Sequence, residues 1–293
     1  MAHKLNIVLS QSVSSIKKCN MFFKTLNSFS YFFSASSKRM HCLDQEVKKR
    51  FPKVAPTRWN YNSRLVETIC EYKFELNTMF QSIIENPDNW DNETYFAARG
   101  FLSVLQELNF NFLLAVFKDL FSVTTVLFDI LQTKSNDISL CIRKVTEGKE
   151  DIAKKRENFE NIFSETSSNE EIDEPQSKRL CLGNVGDVKE CFRKLYYEIF
   201  DNVVNQIELR FQNLEKLKFL ELINPSCSKA YEKTFPGIPF LSLKTAYGQH
   251  FNFPRLRSEL NVFYFNEDLN IQNIATSKNY THRQCTTPAD KVM

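Results

Sequence analysis

From Phe101 to Leu131 the chain is apolar over most of its length, and only Glu107, Lys118, Asp119 and Asp129 interrupt it. The uncharged runs between them fall well short of the ~20 residues that a membrane span needs. Such a block has to be buried inside protein, and a helix that is apolar on several sides must be covered by other helices on several sides. Turn-forming residues point the same way. With 6 Gly and 9 Pro against 27 Phe in 293 residues, the chain is short of the tight turns of a sandwich or barrel. The expected fold class is mainly α, with enough apolar content for one large domain or two small ones.

Helical spacing can be followed along most of the chain. Leu5, Val8, Leu9, Val13 and Ile16 make one stripe, and Phe22, Phe23, Leu26, Phe29, Phe32 and Phe33 make an aromatic second one that ends at 34–37. Leu43 to Arg50 reads as a short helix, after which Pro52 and Pro56 leave Lys53 to Ala55 extended. Thr57 or Asn60 then stands where a cap would start a helix carrying Leu65, Ile69, Tyr72, Leu76 and Phe80, which places Trp59 at a helix entry. Pro87 to Asn89 is a turn into the apolar block. A more charged helix over 137–163 has Gly148 as a candidate break, and residues 164–186 are polar and aperiodic. Phe192 to Leu214 carries a long regular stripe, Arg255 to Phe265 a short helix, and the tail from Ile271 has no apolar period.

Charge is uneven. Residues 1 to 64 hold twelve Lys/Arg against Asp44 and Glu46, a net +10, and the remainder carries −7. The front is a candidate polyanion surface, with a plain solvated basic face as the alternative. The eight cysteines include no CxxC pair and are expected as reduced thiols. His41-Cys42 and His282 with Cys285 are the only metal-like juxtapositions. Neither has a second spaced pair to complete a tetrahedral site, so both read as chance and no metal is expected.

Four stretches occur in order: His3-Lys4-Leu5-Asn6-Ile7-Val8-Leu9, Thr57-Arg58-Trp59-Asn60, Leu127-Phe128-Asp129-Ile130-Leu131-Gln132 and Arg255-Leu256-Arg257-Ser258-Glu259-Leu260. Together, over roughly residues 2 to 268, they resemble the hAT-type DNA transposases and their host relatives of the zinc finger MYM-type protein 1-like kind. The resemblance implies the helical insertion region of an RNase H-like transposase, without most of the RNase H β-sheet. It divides the chain into helices flanking the RNase H-like core (1–52), the insertion's first part (53–163), a linker (164–186), its second part (187–268) and a loose tail (269–293).

In that family two aspartates and a late glutamate hold divalent metal, taken as magnesium, for strand cleavage and transfer. The resemblance implies that both aspartates lie before the motif inside which this chain begins, with Met1 at its cysteine, and that the glutamate lies in a segment this chain does not reach. Asp44, Asp88, Glu107, Asp119 and Asp129 are expected as solvated or capping residues, and His3 as an ordinary exposed one. The expectation is therefore a protein that is not an enzyme and has no cofactor.

Trp59 is implied to approach a DNA end and stack on an unpaired base, worth about 1–3 kcal/mol. Arg58, Arg64 and Lys53 would supply the DNA contacts around it. The alternative is that Trp59 plugs the top of the helical core. Three functions stand open: a transposon-derived fragment with residual DNA or protein binding, a host nuclear interaction or repressor module, and part of an active transposase. A nuclear location, no membrane, and self-association through exposed Phe22, Phe23, Phe29, Phe32 and Phe33 complete the expectations.

Overall fold

The computed structural model describes residues 2–47, 49–53, 55, 58–132, 138–168, 185–224 and 227–265. Every regular element among them is helical, so the mainly α expectation holds. No described helix is long and apolar enough to cross a membrane. The chain forms two compact units, 1–134 with 144–212, and 135–143 with 213–293. Val185–Phe211 thus belongs to the same unit as the front of the chain. The loose tail proposed for 269–293 lies outside the described residues, as does most of the 164–186 linker, whose first residues instead finish a helix ending at Ser168.

The first unit contains α1 (Ala2–Ser14), α2 (Lys17–Ser34), α3 (Ser37–Glu46), α4 (Trp59–Glu71), α5 (Lys73–Glu85), α6 (Asn92–Gln106), α7 (Leu108–Gln132), the second half of α8 (Ile138–Lys155), α9 (Phe159–Ser168) and α10 (Val185–Phe211). Helix α7 is the axle. It touches α1, α2, α4, α6 and α9, which meets the covering requirement read from its sequence. Phe110, Phe117 and Phe121 lie within a narrow sector of α7 and Phe112 nearly opposite, at about 100° per residue. Two aromatic clusters consequently grow on its two sides.

On one side the α2 phenylalanines close over α4, α5, α6 and α7. Phe29 meets Phe101 at 4.3 Å between ring centroids, and Phe22 stacks on Phe117 at 5.4 Å. On the other, Phe112 meets Phe192 at 4.7 Å, and Tyr196 lies 4.6 Å from Phe200 while donating from Oη to the Lys155 carbonyl at 2.5 Å. Each buried Phe contributes about 1.5–3 kcal/mol, and favourable ring pairs add about 0.5–1.5 kcal/mol. The exposed phenylalanine patch expected on α2 is therefore not there: Phe22, Phe29, Phe32 and Phe33 are buried and Phe23 is half-buried. The covering comes from α4 to α7 of the same chain.

Three further expectations are corrected. The short helix begins at Ser37, not Leu43, because the Ser36 hydroxyl accepts the Arg39 N–H and caps it. The run from Leu65 to Phe80 is two helices broken at Tyr72, so that α4 lies on α7 while α5 pairs with α6. The helix through Gly148 does not break there. A Cβ at Gly148 would come within 3.1 Å of Leu127, so the glycine serves close helix packing.

The second unit has α11 (Ser228–Lys233), α12 (Gly237–Tyr247) and α13 (Phe253–Tyr264). Its small core is Leu222, Leu243, Leu260 and Tyr264, bordered by aromatics such as Phe240 and Phe253. Tyr264 Oη donates to the Leu222 carbonyl at 3.0 Å, and the Asn252 side chain caps α13 by accepting the Arg255 N–H at 3.2 Å.

Candidate functional site

Pro56 disfavours the helical conformation for the residue before it, so α4 is not expected to extend back through Ala55. The Arg58 N–H closes a turn onto the Ala55 carbonyl at 2.9 Å, and the helix starts at Trp59. Neither Thr57 nor Asn60 is seen to cap it: Thr57 is outside the described residues and Asn60 sits within the first turn. The cap comes from α1, where Asn6 Oδ1 accepts the Trp59 N–H at 2.6 Å. A partner 53 positions away leaves no local sequence signal.

Trp59 itself is 4% exposed. Its ring lies 4.8 Å from Phe121, 5.5 Å from Phe23 and 6.4 Å from Phe117, and its Nε1 has no hydrogen-bond partner. This is the packing that the core-plug alternative describes. The other three residues named from sequence come together elsewhere. Lys53, Arg58 and Arg64, all exposed, line one cleft of about 700 Å³ with His3 from α1 and Phe128 from α7. Asn60 and Gln132 bring amides to its wall, and among the described residues no carboxylate lines it. Arg64 Nε reaches only the Asn60 carbonyl, at 3.4 Å.

Among the described residues none of these three cations makes an ion pair. Other members of the basic front are spoken for. Arg50 binds Asp44 with both ends of its guanidinium, at 2.8 and 2.5 Å, and holds that carboxyl below its usual range. Lys49 pairs with Glu71 at 3.3 Å, and Lys38 sits 4.4 Å from the Trp90 ring. Arg39 is buried against Phe32 and Thr94. The start of α4, with no acidic residue in its first turn, adds the partial positive charge of a helix N-terminus to the same rim. The cleft can therefore attract and hold an anion.

A second cavity, about 520 Å³, differs in kind. It mixes Lys73 and Lys118 with Asp119 and Glu165, and Asp119 is bound by Lys155. Burial pushes its Cys70 thiol up to about 11, which leaves little thiolate near neutral pH. Of the carboxylates noted in the sequence, Asp44 and Asp119 are ion-paired, Asp88 is exposed in a 3-10 turn, and Glu107 ends α6 with its carboxyl raised by burial. Among the described residues no three His, Cys, Asp or Glu side chains cluster as a metal site would need. The cleft in particular suits no divalent cation, since its charged side chains repel one.

Cys19, Cys42 and Cys70 are free thiols, as a reduced chain would have them. Cys191 departs from that expectation, being disulfide-bonded. His3, Asn6, Phe128 and Gln132 carried no site role in the sequence reading. Comparison with protein-family models, curated proteins and solved structures found no match to this chain.

Proposed function

We propose that this chain is a transposon-derived, hAT-like helical module that binds DNA through the Lys53, Arg58 and Arg64 cleft and acts by binding, not by cutting strands. The observation that carries this reading is the convergence on one cleft of three exposed cations that, among the described residues, have neither an ion-pair partner nor a carboxylate beside them in the lining. Phosphate oxygens are the anions such a rim accepts, with arginine able to bind them through two parallel N–H donors. Fluorescence polarisation with labelled duplex should show affinity falling with a log-log salt slope of about −0.9 per phosphate neutralised. Arg58→Glu with Arg64→Glu should remove most of that binding. Absence of binding to duplex and to single strand alike at low salt, or binding indifferent to salt, would end the proposal. A magnesium-dependent nicking assay on transposon-end DNA should give no product, and strand cleavage would favour the active-transposase reading.

A host nuclear interaction or repressor module is the second reading. It is favoured by apolar side chains left outside the second unit's core, where Ile238 is 72% and Val262 70% exposed. A nuclear-extract pull-down that enriches the same partner for wild type and Ile238→Lys/Val262→Lys would argue against that surface.

A further inference from the structure

Beyond the three cations, the anion-binding surface has a continuation along α1. His3, Asn6, Ser10 and Ser14 follow one another at steps of three, four and four, which puts them on one helix face. His3 and Asn6 line the cationic cleft, while Ser10 and Ser14 line another cavity of about 200 Å³. Between the two stands the start of α4, tied to α1 by the Asn6 to Trp59 bond. Arg58 and Asn60 front the first cavity, Trp59 and Asn62 the second.

The smaller cavity repeats the chemistry of the larger one. Lys24 is its exposed cation, Phe23 its half-buried ring beside Trp59, and Asn20 and Asn27 its amides, again with no carboxylate among the described residues. In the larger cavity Phe128 is the half-buried ring. Asn6 and Ser14 are separated by about 12 Å along the helix, at about 1.5 Å per residue. That distance exceeds one nucleotide and falls within the footprint of small single-strand sites, about four nucleotides or more.

From this pairing we infer that the bound partner is an unpaired nucleic-acid strand lying along α1, with phosphates on Arg58, Arg64 and Lys24 and a base recessed against Phe128 and against Phe23. The inference rests on the DNA-binding reading of the cleft. A half-buried aromatic ring in a cavity wall can stack only on a base whose face is free, and a duplex keeps its base faces covered. The neutral Asn and Ser side chains between Lys24 and the two arginines leave room for sugar and backbone without sequence demands.

The test is polarisation with the intact chain, a labelled oligothymidylate and a duplex of the same length. The oligothymidylate should bind more tightly than the duplex. Lys24→Ala should weaken it about fivefold and reduce its salt slope by about 0.7, the loss of one phosphate contact, and Lys24→Arg should restore both. If Lys24→Ala changes neither quantity while Arg58→Glu/Arg64→Glu abolishes binding, the strand ends at the first cleft and the inference falls with the cleft reading intact. A duplex bound equally or better has the same consequence. Failure of both probes to bind at low salt overturns the inference and the proposed function together.

Discussion

Trp59 shows how far one residue's chemistry can be read from its neighbours in sequence. Its place at a helix entry follows from Pro56, but its burial depends on Phe23 and Phe121, which only the fold brings near. Trp59→Ala should cost about 3–5 kcal/mol in urea unfolding. In a Trp90→Phe background, Trp59 emission should be blue-shifted and resist acrylamide, and a strong quench on adding DNA would instead favour the stacking role. Asn6→Ala, which strips the cap from α4, should lose about 1–2 kcal/mol by the same measurement. Thiols offer a pH test. Burial raises Cys19 from 9.0 to about 12 and Cys70 from 9.0 to about 11. The folded chain therefore keeps protons that the unfolded chain has released, so their contribution is full below pH 9 and is lost as pH rises through the window up to about 12. Denaturant midpoints should fall across that range, and Cys19 and Cys70 should resist alkylation near neutral pH until the chain unfolds.

At the scale of elements, periodicity located the stripes of α1, α2, α7 and α10, because a helix buried on one side or all round must repeat its apolar residues at that period. It did not locate the break at Tyr72, where no Gly or Pro marks the change of direction and the cause is that α4 and α5 have different packing partners. The burial of α2 is illegible in the sequence for a related reason: a stripe says that a face needs covering and is silent about what covers it. Phe29→Ala should cost about 3–5 kcal/mol, since α5, α6 and α7 all meet that ring. Phe96→Ser, at a ring 64% exposed, should leave the unfolding midpoint almost unchanged. The candidate site was legible in part. Lys53, Arg58 and Arg64 stand close in sequence and share the cleft, whereas His3, Phe128 and Gln132 enter it from helices that no local pattern could join.

Across the whole molecule, net charge is +3, yet the basic front divides into residues that hold helices together and residues left to face solvent. That division required the fold, because Lys49 and Arg50 look no different from Lys53 until Glu71 and Asp44 are placed beside them. The two units should also differ in local stability. Hydrogen exchange should be slowest in α7, enclosed on several sides, and faster in α12 and α13, whose core has few fully buried side chains. Helix α1 has a different kind of consequence. Its apolar face, with Leu5, Val8 and Leu9 wholly buried, rests chiefly on α10, and Ser12 reaches the Asn202 carbonyl at 3.4 Å. A ribosome adding about 5–20 residues per second needs about 10–40 s to make the intervening chain. Throughout that interval α1 has only α2, α4 and α7 to rest on, so the face it turns to α10 depends on being shielded in the cell until nearly the last helix of its unit has been synthesised.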